Sequence, residues 1–287
     1  MKLLVTGASG QLGSSILRES IKTGHVVTAW SGRYDGTLFG IPLKPVDLTK
    51  QTLVRQRFRT CKPDVVIHTA ALSSIDQCYN NPERTESVNV HATQLLAELC
   101  REHSCRMIFT STDLVFDGEK GNYNENDIPN PLSVYGKSKL HAETILLSQE
   151  KISVVRMSLL YGPTLIPNRG KFYDNMKNSL TNGKPIRCFA DEWRTPLALT
   201  TAASGLLALT RIPHSGLIHF GGPERMSRYE MGLKLAEEMN ISTEWVVANS
   251  RKDVTFPEPR PRDISLDSSL WRELLGEDKT TFKQSEV

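Results

Sequence analysis

Tyr135 and Lys139 stand four residues apart in Tyr135-Gly136-Lys137-Ser138-Lys139. On a helix that spacing brings both side chains to one face, a turn from each other. An ammonium beside a phenol favours the phenolate and should lower the tyrosine from its ordinary value of about 10. Such a tyrosine can pass a proton to an oxygen that develops negative charge. Thr112, in Phe109-Thr110-Ser111-Thr112-Asp113, closes an apolar run, where a hydroxyl could hydrogen-bond a carbonyl. The third group is Gly7, Gly10 and Gly13 in Thr6-Gly7-Ala8-Ser9-Gly10-Gln11-Leu12-Gly13. Glycines at that interval let the backbone turn tightly and admit phosphate, and a helix starting behind them offers partial positive charge. The interval is G-x-x-G-x-x-G, not the G-x-G-x-x-G of the commoner dehydrogenases. Alone, each motif has an ordinary structural explanation: a surface helix, a solvent-facing turn threonine, a strand–helix turn. Their order and domain-scale spacing carry the specificity.

These residues need rigid elements to hold them. Short apolar runs at Lys2–Val5, Val26–Trp30, Val65–His68, Arg106–Ser111 and Ser153–Met157 read as strands. Between them, Ser14–Thr23, Thr52–Arg59, Pro82–His103 and Val134–Gln149 read as helices. Such alternation implies an α/β fold, a doubly wound parallel sheet buried on both faces, with its ligand at the C-terminal ends of the strands. After residue 162 prolines punctuate shorter elements, with helices at Phe172–Thr181, Thr200–Leu209 and Ser227–Glu238. This half, 163–277, reads as a smaller lobe interleaved with 1–162, and the polar 278–287 as a frayed tail.

Composition narrows the function classes. With 35 basic and 32 acidic residues the net charge is only +3, which asks for neither nucleic acid nor a membrane surface. No apolar run reaches the ~18 residues of a spanning helix. The N-terminus enters the first strand directly, so no signal peptide is expected and the chain reads as soluble and cytoplasmic. The five cysteines, Cys61, Cys78, Cys100, Cys105 and Cys188, are scattered and contain no C-x-x-C pair. The histidines show no ligand spacing, His68 reads as a packed residue, and no metal is expected.

Four further stretches extend the pattern along the whole chain. They are Pro63-Asp64-Val65-Val66-Ile67-His68-Thr69-Ala70-Ala71, Ser111-Thr112-Asp113-Leu114-Val115-Phe116-Asp117-Gly118, Arg156-Met157-Ser158-Leu159-Leu160-Tyr161-Gly162 and Arg260-Pro261-Arg262. With them the chain resembles the extended short-chain dehydrogenase/reductases that act on nucleotide sugars, and most closely their dTDP-4-dehydrorhamnose reductase branch. The resemblance implies a Rossmann NAD(P)-binding domain followed by a substrate-binding lobe. It implies Thr112, Tyr135 and Lys139 as the catalytic trio. It places Gly7, Gly10, Gln11, Leu12 and Gly13 at the cofactor pyrophosphate, Ala70 and Ala71 beside its adenosine half, and Asp47-Leu48 at the adenine. Asp47 could instead cap the helix after it.

One departure concerns the sugar. The branch usually reads Ser-Thr-Asp-Tyr-Val-Phe-Asp-Gly, and Leu114 stands where the tyrosine lies near the sugar pocket. The usual deoxysugar therefore does not follow. Dehydratases of the superfamily carry Asp-Glu after the threonine, and this chain has Asp113-Leu114, which disfavours loss of water. Ser73, Trp193, Arg194 and Arg260 are weaker substrate-side candidates, the arginines as cations for a diphosphate. The leading expectation is an NADPH-dependent reductase of a keto group on a nucleotide sugar. An epimerase on the same scaffold is one alternative. A partner-binding role is another, because the regulatory subunit of methionine adenosyltransferase resembles the same branch. A homodimer is left open.

Cofactor choice has a physical basis. NAD-preferring sites place a carboxylate at the end of the second strand to bond the ribose hydroxyls. Here that strand ends Ala29-Trp30-Ser31-Gly32-Arg33, and no carboxylate appears before Asp35. Ser31 and Arg33 could hold a 2′-phosphate by hydrogen bond and charge, favouring NADP over NAD. Arg33→Ala should weaken NADPH by about 1.5–3 kcal/mol, the worth of a charge-assisted contact, and leave NADH unaffected. Parallel titrations of both cofactors check this, and equal binding of NADH and NADPH by the native protein would refute it.

Overall fold

Apolar runs that alternate side by side must bury both faces, and here they do so in one sheet. The computed structural model describes residues 1–166 and 172–275, so the tail expected at 278–287 lies outside the described residues. In chain order the elements are β1 (Lys2–Thr6), α1 (Gln11–Ser20), β2 (Val26–Ser31), β3 (Gly36–Leu38), β4 (Ile41–Pro45), α2 (Gln51–Cys61) and β5 (Val65–His68). Then come α3 (Ile75–Asn80), α4 (Pro82–Glu86), α5 (Ala92–Glu102), β6 (Arg106–Thr112), α6 (Val134–Leu147), β7 (Ile152–Met157) and β8 (Leu160–Tyr161). The remainder is α7 (Phe172–Thr181), β9 (Ile186–Phe189), β10 (Trp193–Arg194), β11 (Leu197–Ala198), α8 (Leu199–Leu209), β12 (Gly216–Phe220), β13 (Met226–Ser227), α9 (Arg228–Glu238), β14 (Val246–Asn249) and α10 (Ser269–Leu275).

The main sheet runs β12-β7-β6-β5-β1-β2-β4-β3. Its seven strand pairings are parallel except that β3 returns antiparallel on β4. Strand order reverses between β1 and β5, which opens a crevice at their C-terminal ends. Side chains alternate across the sheet. Leu3 and Val5 face a core completed by Ile16 and Leu17 of α1 and Leu206 of α8. Leu4 faces the opposite core, with Phe58 of α2, Leu96 of α5 and Leu146 of α6. A smaller layer packs Met176, Leu180, Ile186, Leu235 and Val246 from α7, β9, α9 and β14.

Residues beyond 162 are shared between the two layers. β12 adds the last parallel strand beside β7, and α8 packs on α1. Phe220 stacks on Trp271 of α10 with ring centroids 3.7 Å apart. Thr200–Leu209, expected in the lobe, thus covers the main sheet. The helix expected over Pro82–His103 runs without a gap from Pro82 to Glu102, but it is not α-helical throughout. A π-helical turn at Ser87–His91 separates α4 from α5. Buried Asn89 sits in that turn, and such turns often mark functional sites.

A buried ion pair fixes α6 on the sheet. Arg156 of β7 donates from Nε to both carboxylate oxygens of Glu143 at 3.1 Å and from Nη2 to Oε2 at 2.7 Å. His219 of β12 accepts from Arg156 Nη1 through Nε2 at 3.4 Å and donates from Nδ1 to the Tyr123 carbonyl at 3.0 Å. Burial holds His219 down at about 4, so it is neutral in this chain of contacts. Removing one partner of such a pair strands a buried charge. Arg156→Met alone should cost about 3–5 kcal/mol, and Glu143→Leu/Arg156→Met should recover most of it. Urea denaturation of both variants checks the order, and a double variant less stable than the single would refute it.

Candidate active site

The glycine turn comes first, because its shape is forced. Gly7 has φ +66°, and a Cβ there would meet the Ala70 nitrogen at 2.7 Å. A Cβ on Gly13 would lie 2.2 Å from the Gly7 carbonyl oxygen. Gly10 donates to that same oxygen at 2.7 Å and caps α1 without any side chain, so the first-turn amides of α1 are open to an anion. The residues present therefore fit a dinucleotide pyrophosphate. Gln11 donates to Thr164 at 3.2 Å, and Thr164 in turn meets Asp174 of α7, so the turn is tied to the smaller layer.

A cleft of about 770 Å³ runs from this turn across the strand ends. Gly7, Gly10, Gln11, Leu12 and Gly13 line it, and so do Ser31, Arg33, Asp47, Leu48, Ala70 and Ala71. Arg33 is exposed, whereas Asp35 does not line the cleft. Ser31 donates to the Tyr34 carbonyl and keeps only its acceptor side for a ligand. Asp47 holds the amide and hydroxyl of Thr49 at 3.0 and 2.7 Å, and the Thr49 hydroxyl bond depresses its carboxyl. It closes a local turn rather than capping α2, whose N-cap is Lys50.

Thr112, Tyr135 and Lys139 line the same cleft. Thr112 ends β6, and the other two occupy the first turns of α6 on one helical face. Ser133 caps α6 through the Gly136 amide at 3.1 Å. Asn89, which the sequence reading missed, ties the site together. It accepts from the Leu72 amide at 2.8 Å and donates to the Leu72 carbonyl at 3.0 Å and to Ser138 at 2.9 Å. Ser138 donates to the Tyr135 carbonyl at 2.7 Å, so Asn89 braces the first turns of α6 against the loop after β5. A polar residue inside an otherwise helical apolar pattern was the available signal.

Asp113 is buried and fully occupied. It accepts from Arg194 Nη1 at 2.8 Å and from Ser158 at 2.9 Å. Arg194, Ser73 and Leu114 line the cleft. Arg260 also lines it, but its fork is spent on Glu192 at 2.6 and 2.9 Å. Trp193 is a correction: it does not line the cleft, and its ring instead carries the Arg225 guanidinium at 4.7 Å. Its place on the two-residue β10, paired with β13, turns it away from its neighbour Arg194. Arg228, unforeseen from sequence, does line the cleft. It lies over the Phe172 ring at 3.9 Å, and its Nη1 has no hydrogen-bond partner among the described residues. Nothing in sequence separates it from other surface arginines of a helix start.

The family model for the RmlD substrate binding domain matches residues 1–286. The chain belongs to this family. It is 32% identical to a dTDP-4-dehydrorhamnose reductase of Aggregatibacter actinomycetemcomitans, over 96% of this chain and 93% of that protein. It is 31% identical to the probable low-salt glycan biosynthesis reductase Agl14 of Haloferax volcanii, over 99% and 95% respectively. The crystal structure of a hypothetical dTDP-4-dehydrorhamnose reductase from Sulfolobus tokodaii is 32% identical, with 99% and 98% coverage and a TM-score of 0.85.

Charges in this RmlD-family cleft depart from the sequence expectation. Burial, then the Asp113 carboxylate and Cys78, push the Tyr135 phenol above its ordinary value rather than below it. Lys139 is itself pushed down to about 7 by burial, only partly offset by Glu143. Its ammonium lies 3.9 Å from the Phe109 ring centroid. Desolvation of both groups outweighs their mutual effect. Burial also lowers Arg228 to about 9, with Arg194 adding to the shift. Among the described residues no group of three or more His, Cys, Asp or Glu could hold a metal, and no helix is long and apolar enough to cross a membrane.

Lys139 carries a stability consequence. An unfolded lysine stays charged to about 10.4, whereas the folded one loses its proton near 7. Below pH 7 the native state bears the full cost of the buried charge, and stability rises as pH climbs from 7 towards 10. Lys139→Met should therefore stabilise the ligand-free protein at pH 6 by about 1–4 kcal/mol and by much less at pH 10. Urea denaturation at both pH values reads this, and a gain independent of pH would contradict it.

Proposed function

We propose that the protein is an NADPH-dependent reductase of a keto group on a nucleotide-activated sugar, of the dTDP-4-dehydrorhamnose reductase type. The observation that carries this reading is one cleft with a dinucleotide cradle and Thr112, Tyr135 and Lys139 together on its wall. Gly7, Gly10, Gln11, Leu12 and Gly13 would hold the pyrophosphate, and Arg33 the 2′-phosphate, joined by Ser31 once its hydroxyl hydrogen turns from the Tyr34 carbonyl to the phosphate. When bound, that cofactor supplies a hydride. Tyr135, kept protonated by its burial, gives a proton to the carbonyl oxygen. Thr112 hydrogen-bonds that oxygen, and the Lys139 ammonium stabilises its developing charge.

Asp113 supports reduction over loss of water. A dehydration needs a free acid beside the threonine, and Asp113 is held by Arg194 and Ser158. The diphosphate has a different anchor from the one sequence suggested. Five arginines line the cleft, and of the three from the second half of the chain Arg194 and Arg260 are paired with Asp113 and Glu192. Arg228 keeps an unfilled N–H and is the cation we assign to the diphosphate.

Tyr135→Phe should lower kcat by about 10²–10⁴-fold with cofactor affinity preserved, the range for loss of a general acid. Arg228→Ala should raise KM for the sugar nucleotide by about 10-fold or more, the loss of a charge-assisted bond. Arg260→Ala should act chiefly on stability. NADPH oxidation across a panel of keto-sugar nucleotides tests all three. Sugar interconversion without net NADPH oxidation would point to epimerisation. No turnover on any sugar would favour the partner-binding alternative.

A further inference from the structure

Glu258 has no part in the chemistry above, yet it joins the substrate side to the catalytic helix. It lies between Pro257 and Pro259, whose rings stiffen the loop. The loop is anchored at Arg260, which pairs with Glu192 and whose carbonyl accepts from Arg251 Nη1 at 2.6 Å. From this loop Glu258 reaches α6, where Oε1 accepts the amide of Val134 at 2.7 Å, one residue before Tyr135. Its other oxygen, Oε2, is screened from solvent and has no hydrogen-bond partner among the described residues. Glu258 nevertheless lines the cleft, as do Leu114, Arg194 and Tyr135.

A carboxylate oxygen withdrawn from water without a donor is unfavourable, and native proteins nearly always supply one. Of the cations on the cleft, Arg260 is committed to Glu192 and Arg194 to Asp113, and neither Arg228 nor Lys139 makes a hydrogen bond to this oxygen. Leu114 offers no polar hydrogen. The donor this oxygen lacks therefore comes from what enters the cleft.

We propose that Glu258 is a specificity-determining residue whose unpartnered carboxylate oxygen accepts a hydrogen bond from a hydroxyl of the bound sugar. The inference rests on the sugar-nucleotide reading, and it deepens it by naming the group that reads the sugar. Because Oε1 is held by α6, the second oxygen is fixed in place, so a sugar lacking the matching hydroxyl, or bearing it with inverted configuration, leaves the oxygen unmet.

The test is calorimetric titration of the full chain, saturated with NADP, with dTDP, dTDP-rhamnose, UDP and UDP-glucose, and then with singly deoxygenated forms of the sugar that binds. Glu258→Gln keeps an amide oxygen for Val134 but turns an NH2 donor towards the sugar. It should erase the advantage of the sugar nucleotide over its bare nucleotide by about 10- to 100-fold, with the bare nucleotide, the cofactor and Tm unchanged. In the native protein one deoxy position should lose a similar factor, and in Glu258→Gln that loss should vanish. The native deoxy series stands as a readout even if Glu258→Gln folds poorly. Native-like sugar binding by Glu258→Gln means that Glu258 only caps α6 and overturns the proposal, as does a native protein indifferent to every deoxygenation. A native protein that binds none of the four probes overturns the sugar-nucleotide reading itself.

Discussion

The ammonium of Lys139 is buried under a phenylalanine ring on the first turns of α6, and the surroundings are built around that cost. No ion pair to it is seen among the described residues. The carboxylate whose field favours its charge, Glu143, is one turn further along the helix and already gripped by Arg156. Arg156 leans on a neutral His219, and His219 on the backbone before Glu125. Each member of this chain is buried and satisfied, so the helix that carries the reactive groups has little freedom to shift. The lysine alone is left short of negative charge. A cleft prepared this way is most favourable when an oxygen-rich ligand arrives, and least favourable when empty.

The arginines obey the same logic. Of the five guanidinium groups that line one cleft, three come from the second half of the chain, and repulsion among these three is relieved by placing a carboxylate on two. The third is left to an outside anion. Charge counting along the chain cannot reveal which one, because Asp113, Glu192 with Arg194, Arg228 and Arg260 come from four separate segments.

Legibility in the sequence followed the range of the forces involved. The glycine turn, the strand-end threonine and the Tyr-x-x-x-Lys pair are local patterns, and their elements lie where the pattern put them. β4 was missed because Ile41–Pro45 holds two prolines, which suit a strand near a sheet edge better than a central one. β12 was missed because its partner is some sixty residues upstream, and only tertiary pairing distinguishes it from a lobe strand. The π-helical turn depends on Asn89 reaching Leu72 and Ser138, contacts that no helical periodicity encodes. Trp193 and Arg194 are adjacent, so sequence offered both to the cleft. The period-2 geometry of a strand admits only one.

The late arrival of β12 has a consequence for biosynthesis. Until residues 216–220 have left the ribosome, β7 is an open edge at the end of a six-residue, wholly buried strand. Its unpaired backbone groups and its Val154 and Val155 would face the nascent chain and its neighbours. The segment 163–215 must fold or wait alongside that edge, since the sheet cannot be closed from the N-terminal side. Translation from the end of β7 to the final parallel strand is therefore the interval in which this chain most needs protection from edge-to-edge association.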